Sequence, residues 1–245
     1  MKNFLDKFIT EKREKLFLNG FVSISKNDFL NNQEYFSSLK EIDSNKENFE
    51  LQSKQKGTFT LKAAVQQQNK EFFLDNLFNS KIYELSCLIT GQKLYLTNFK
   101  HFLTKGLTPA LGWHRDTYFR KNKFHGLIPT AYKLAIYATD VMDEDGCTAF
   151  IRGSHRLDFN SNLFDRYLTF FTNRTQKIDV KKGDAILFNV NVSHNRLRAK
   201  RSNSKRSVTI YGFALSKFYQ QNYFKDQNEI VIKYFNNQLE KKITW

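Results

Sequence analysis

Two cysteines in 245 residues, Cys87 and Cys147, leave no disulfide framework and no CxxC motif for a metal or redox centre. Such usage fits a reducing compartment. Two prolines and ten glycines exclude a linker-rich or collagen-like chain. No apolar run approaches the ~20 residues that a membrane-spanning helix needs. The opening stretch MKNFLDKFITEKREKLF mixes acids with bases and lacks the apolar segment of a secretory signal. These absences together predict a cytoplasmic protein with no transmembrane segment.

What is present is bulk and positive charge. Hydrophobic residues make up 40% of the chain and Phe alone supplies 25, too apolar for a disordered protein. The length suits a single domain, 1–245. Lys and Arg outnumber Asp and Glu by 39 to 24, a formal charge of +15. That field favours anionic partners: nucleic acid, an acidic carrier protein, a phosphorylated or CoA-linked substrate, or an anionic membrane surface. Lysines scattered over a solvated surface would give the same number.

Periodicity places helices first and strands after. Residues 3–18 carry Phe4, Leu5, Phe8, Ile9 and Leu16 at helical spacing, and Asn19-Gly20 ends that helix. Residues 21–24 alternate as a strand. Asp28 is placed to cap a short helix over 29–38, and 40–57 is polar and aperiodic, a loop. A short strand over 58–64 precedes one long amphipathic helix, 72–88, with Phe73, Leu77, Ile82 and Leu85 facing the core and Gly91 closing it. Strands are then predicted over 94–104, around His114, and over 134–141, 148–152, 176–180, 185–190 and 207–215. A basic loop covers 119–131, residues 160–176 are irregular or helical, and 217–241 form a terminal helix or tail. Helices followed by seven or eight short strands argue an α+β chain with a sandwich or barrel core, about 90–216.

The chemistry gathers at Trp113-His114-Arg115-Asp116. Residues two apart on a strand share a side, so His114 and Asp116 can hold one metal ion with an imidazole nitrogen and a carboxylate oxygen. A distant histidine, His194 eighty residues on, would complete two histidines and one carboxylate on one face, the non-haem iron(II) oxygenase arrangement. A kinase catalytic loop also opens His-Arg-Asp, but its Asn belongs five residues after Asp, where Lys121 stands, and no Asp-Phe-Gly follows. The plain alternative is a core histidine satisfied by Asp116. Arg206, twelve residues past His194, would face the same cavity if its strand ran antiparallel beside that of His194. An arginine there suits a dicarboxylate through two parallel charged hydrogen bonds. Arg201 is the candidate if the register differs. His101 and His125 read as surface or core residues, and Cys147 receives no role.

These features resemble the phytanoyl-CoA dioxygenase family of iron(II)- and 2-oxoglutarate-dependent oxygenases. Gly20-Phe21-Val22 is similar to the family's opening, and Trp113 to Thr117 to its first metal motif. Asp145-Gly146-Cys147 with Arg152-Gly153-Ser154-His155 is similar to its turn and Pro-Gly-Ser-His segment. Gly183 to Phe188, leading to His194, is similar to its second metal motif. The resemblance runs over roughly residues 15–215. Arg152 stands where the family has proline, and Asn195 where glycine is common.

The resemblance implies a double-stranded β-helix (jelly-roll, cupin-like) core flanked by N-terminal helices. It implies iron(II) on His114, Asp116 and His194, and 2-oxoglutarate and O2 as cosubstrates. The remote carboxylate of 2-oxoglutarate would pair with Arg206, and Tyr137, sharing a face with Ala135, would lie beside it. His155 is not expected to be a ligand. Family halogenases replace the carboxylate with glycine or alanine, so Asp116 implies hydroxylation of an unactivated C–H bond. The basic stretches 119–125 and 196–206 flank the two metal motifs, which implies a rim for a small or lipid-like substrate that is anionic or presented by an acidic carrier. Two other readings stand beside this one. A nucleic-acid demethylase would use the same chemistry, and a non-enzymatic binding module would keep the same fold.

Overall fold

Successive residues of a strand point to opposite faces, and in this chain the alternation separates two environments. The computed structural model describes residues 2–29, 33–52, 57–116, 131–157, 167, 173–217, 220 and 229–242. Helix α1 (Lys2–Asn19) leads into strand β1 (Phe21–Ile24). Gly20 joins them at φ 87°, and a Cβ there would sit 2.5 Å from His155 Nδ1 and 2.9 Å from Val192 Cγ2. Glycine is therefore required both by conformation and by space.

The second helix differs from expectation. Asp28 does not cap a helix over 29–38; its carboxylate accepts the Ser25 N–H at 2.8 Å in a reciprocal box around a short turn, Lys26–Asp28. Helix α2 runs Gln33–Ser44 and extends into what reads as a polar loop. Its last turn is anchored by the buried Asp43, whose Oδ1 meets His101 Nε2 at 2.8 Å. His101 is accordingly a core residue, with its Nδ1 2.9 Å from Thr209 Oγ1. Strands β2 (Phe49–Leu51) and β3 (Thr58–Leu61) follow, then a short helix α3 (Ala63–Gln68).

The long helix expected over 72–88 is two, α4 (Lys70–Asn79) and α5 (Ile82–Thr90). Lys81 breaks them in the left-handed region at φ 61°. That conformation costs a non-glycine residue about 1–2 kcal/mol. Burial of Phe73, Leu74 and Leu77 on one side of the break and of Ile82, Tyr83 and Leu85 on the other outweighs it. Gly91 ends α5 at φ 71°, as expected.

The remaining strands are β4 (Tyr95–Lys105), β5 (Tyr132–Tyr137), β6 (Thr148–Ile151), β7 (Thr175–Ile178), β8 (Ala185–Asn189), β9 (His194–Arg196) and β10 (Lys205–Ala214). Helix α6 (Glu229–Lys242) packs on α4 and β4 through Phe235 and Leu239. The strands form a seven-stranded antiparallel sheet, β1-β8-β5-β10-β4-β3-β2, and a three-stranded one, β7-β6-β9. This is the expected jelly-roll-like sandwich with helices on one flank. The outer face of the large sheet presents Leu134, Ile136, Leu187, Tyr211 and Phe213 to the helices. The inner face presents Ala135, Tyr137, Ile186, Phe188 and Val208 to the small sheet. The basic loop expected over 119–131 lies, up to residue 130, outside the described residues, as does His125; so does most of 160–176.

Candidate active site

Two short backbone segments set the first histidine against the second. His114 is not part of a strand; it forms an isolated antiparallel bridge with His194, N–H to carbonyl at 3.0 and 2.9 Å in the two directions. Asp116 N–H donates to Val190 O at 3.0 Å and fixes the next turn of the same segment. Period two then puts His114 and Asp116 toward the cavity and buries Arg115 on the other side, where Nη1 donates to Leu157 O at 3.1 Å. His194 begins β9 in the small sheet, opposite Phe150 of β6. It follows β8, the strand introduced by Gly183-Asp184, after four intervening residues. A three-residue strand carries no periodicity of its own, and the intervening turn moves it from one sheet to the other.

The three side chains converge. Ligand atoms of His114, Asp116 and His194 all lie within 4.8 Å of one another, and the imidazole centroids are 4.3 Å apart. Each Nδ1 has a backbone carbonyl two residues back: Gly112 O at 2.9 Å for His114 and Val192 O at 3.0 Å for His194. Those contacts assign the proton to Nδ1 and turn each Nε2 to the shared space, the way metal-bound histidines are held. Burial, with His114 as a like neighbour, pushes the His194 imidazole down to about 4 against the pull of Asp116. It is therefore neutral near pH 7, as a ligand must be. Burial pushes the Asp116 carboxyl up, but His194 and Lys133 more than offset it and hold it below the usual range. Lys133 Nζ stands 2.9 Å from Asp116 Oδ2.

The surrounding motif residues support this geometry. Asn195 Oδ1 accepts the Gly112 N–H at 2.9 Å and ties the loop before His114 to the strand of His194. Ser154 Oγ accepts the Ser193 N–H at 2.8 Å, one residue before His194. His155 is no ligand; its Nε2 donates to Phe17 O at 3.1 Å. Gly146 turns at φ 79°, where a Cβ would meet Leu197 O at 2.6 Å.

Arg206 reaches the same cavity by a different route from the one expected. Its strand, β10, does not lie beside β9 but between β5 and β4 of the large sheet. Its side chain points inward across the sandwich, 8% exposed, with the guanidinium 5.4 Å from the Tyr137 ring centre. Tyr137 is buried and its hydroxyl lies 3.0 Å from Thr148 Oγ1. Arg201 is turned away and pairs with Glu144 and Asp145 at 3.1 and 3.4 Å. Lys200 likewise pairs with Asp143 at 3.1 Å. The residue that the sequence hid is Arg196. Its run of neighbouring basic residues reads as a solvated loop, yet it is 5% exposed inside the cavity. Burial and the Arg206 charge push Arg196 down to about 10. Both guanidiniums have an Nε without a hydrogen-bond partner, and among the described residues neither forms an ion pair with an acid.

The family model described as phytanoyl-CoA dioxygenase (PhyH) matches residues 19–207. The chain belongs to the phytanoyl-CoA dioxygenase family. Solved structures similar to it include the non-haem α-ketoglutarate-dependent epimerase SnoN from nogalamycin biosynthesis, at 15% identity and TM-score 0.66, over 85% of this chain and 83% of that one. HygX from Streptomyces hygroscopicus, with nickel and 2-oxoglutarate bound, matches at 17% identity and TM-score 0.63, over 84% and 87%. EctD from S. alaskensis, with 2-oxoglutarate and 5-hydroxyectoine, matches at 12% identity and TM-score 0.62, over 83% and 74%. At such identities the likeness carries the fold. A sequence search of curated proteins finds no match. This phytanoyl-CoA dioxygenase family member is an iron- and 2-oxoglutarate-dependent oxygenase, and its donor set fits that metal: two imidazoles with Nε2 turned inward and one carboxylate. Among the described residues no helix is long and apolar enough to cross a membrane.

Proposed function

We propose that this protein hydroxylates an unactivated C–H bond of a small, anionic metabolite or lipid-like molecule, as one domain over residues 1–245 working in the cytoplasm. The observation that carries the reading is the pair of Nδ1–carbonyl contacts that aim both Nε2 atoms at Asp116. His114, Asp116 and His194 hold iron(II). Arg206 receives the remote carboxylate of 2-oxoglutarate, with the Tyr137 ring under its guanidinium. A buried cation without an acidic partner calls for an anion to offset its desolvation. When bound, the iron would activate O2, the four-electron oxidant, with two electrons drawn from 2-oxoglutarate as it becomes succinate and carbon dioxide and two from the substrate C–H bond, so that one oxygen atom enters succinate and the other the substrate hydroxyl. The chain's own contribution is orientation and exclusion of water. Phe150 and Phe188 wall the His194 side, with ring centres 5.8 and 5.2 Å from the imidazole.

The cavity holds about 200 Å³ and is lined by four cationic side chains, Lys100, Lys133, Arg196 and Arg206, against the single carboxylate of Asp116. Three of these cations, Lys133, Arg196 and Arg206, are buried or half-buried, with Lys100 exposed at the edge, and positive charge held within a cavity favours a small anion over a polymer. The exposed basic residues of 198–205 supply less of the field than their number suggests, since Lys200 and Arg201 already have acidic partners.

Anaerobic addition of iron(II) and 2-oxoglutarate tests the reading through the weak visible charge-transfer band of the chelate. A band is expected for the wild type and not for His114→Ala or Asp116→Ala. Its absence in the wild type would sink the cofactor assignment, and its survival in both variants would sink the ligand set. Succinate release from a screen of small carboxylates and phosphates would then identify the substrate.

A further inference from the structure

The four cations of the cavity do not cluster at one place. Arg206 and Arg196 face one another near the start of β10 and on β9, while Lys100 and Lys133 lie toward the other end of β10. Register fixes the spacing. Lys133 of β5 is opposite Gly212 of β10, and Gly212 is opposite Asn98 of β4; Lys100 is opposite Ile210. Gly212 carries no side chain, so β10 places nothing between Lys133 and Asn98. Two strand spacings separate those Cα atoms, roughly 10 Å, a gap that an anion held from both sides can fill. Arg206 is six residues from Gly212 along β10, roughly 20 Å at strand rise. A five-carbon dicarboxylate held by Arg206 and the metal leaves the lysine end free.

The two lysines differ in their partners. Lys100 is exposed at the edge of the cavity and, among the described residues, has no hydrogen-bond or ion-pair partner, so its ammonium is open to a ligand. Lys133 has only Asp116, at 2.9 Å, and a metal ion on that carboxylate would take up its charge. Lys100 and Asn98 are in addition the shared wall of a second pocket, of about 250 Å³, whose polar lining is Gln52, Thr60, Gln66 and Gln67 with one carboxylate, Glu50. It opens where β3 leaves β4, since β3 pairs only with residues 102–104.

We propose that Lys100 and Lys133, with Asn98, form a substrate subsite for a carboxylate or phosphate group, separate from the arginine end of the cavity. The anion is held on the flank of the metal site, and the rest of the substrate extends into the amide-lined pocket. This rests on the oxygenase reading above and adds to it where the substrate's charge is bound and from which side it enters.

The test is calorimetric and needs no turnover. Protein saturated with nickel(II) and 2-oxoglutarate is titrated with butyrate and, separately, with methyl phosphate. One of the two is expected to bind with a stoichiometry of one, and the tighter one tells carboxylate from phosphate. Affinity should fall at least tenfold in Lys100→Met and in Lys133→Met, and Lys133→Arg should restore it to within threefold, which a packing role would not do. Arg206→Met is expected to weaken 2-oxoglutarate and, once saturated, to leave the second anion bound. No binding of either probe to the saturated wild type, or equal binding by wild type and the methionine variants, overturns the subsite. If Arg206→Met leaves 2-oxoglutarate affinity unchanged while the second anion still depends on the lysines, the cosubstrate assignment fails and the subsite stands.

Discussion

The two faces of the seven-stranded sheet are built from the same strands and do opposite things. Outward, Leu134, Ile136, Leu187, Tyr211 and Phe213 pack under the helices with Phe73, Leu77 and Phe235, all buried. Inward, one residue out of register with these, the strands carry Lys133, Arg206, Lys100 and Asn98 to a cavity whose other walls are apolar, among them Ala135, Ile186 and Phe188. Burying Arg206 and Arg196, which pair with no acid among the described residues, costs stability. The outer face supplies the apolar burial against which that cost is set. Stability and chemistry are thus separable in this fold, and substitutions on one face should leave the other nearly untouched.

The largest effect belongs to the inner face. His194→Ala removes one of three donors, and loss of even an outer partner of a metal ligand typically costs 10–100-fold. Succinate-forming turnover should fall more than about 100-fold, with the circular dichroism spectrum and melting temperature close to wild type. A large drop in melting temperature would show that the inner face is also structural. Phe73→Ala makes the converse test. Phe73 is 0% exposed and touches the aromatic rings of Tyr35, Phe72 and Phe99. Its loss should cost about 3–5 kcal/mol of stability in denaturant titration, with iron(II) affinity of the folded fraction unchanged. Arg206→Met comes third. Removing a charged hydrogen-bond donor should cost about 1.5–3 kcal/mol of 2-oxoglutarate binding, a rise in Kd of about 10–100-fold. Stability should hold or rise, since a buried cation without an acidic partner is replaced by an apolar chain.

The sequence exposes some of this arrangement and conceals the rest for identifiable reasons. His114 and Asp116 are legible because period two is a local rule that holds even where the segment forms only a bridge. Phe73, Leu77, Ile82 and Leu85 are legible as core through the helical period, which is equally local, although the break at Lys81 is not, because nothing local marks a lysine for the left-handed region. His194 and Arg206 are recognisable by their order along the chain, but not the sheets they occupy: β9 is three residues long, and a jelly roll pairs strands far apart in sequence. Arg196 is concealed outright. Six basic residues between 196 and 206 look alike until the fold buries Arg196 and Arg206 and leaves Arg201 with Glu144. Asp43 is concealed too, since its partner His101 comes 58 residues later.

The smallest effect lies at the seam between the two functions. Asn195 stands where glycine is common in the family, and its side chain accepts the Gly112 N–H at 2.9 Å while Gly112 O accepts the His114 Nδ1 proton. One amide thus steadies the loop that orients a ligand, without touching the metal position. Asn195→Ala removes that acceptor, and a typical hydrogen bond contributes about 0.5–1.5 kcal/mol. Iron(II) affinity in a calorimetric titration should weaken by about two- to tenfold. Asn195→Asp keeps an oxygen acceptor for the same N–H and should recover most of the loss. If Asn195→Ala left metal affinity unchanged and lowered only the melting temperature, Asn195 would belong with the outer face, as a packing residue that happens to sit beside the site.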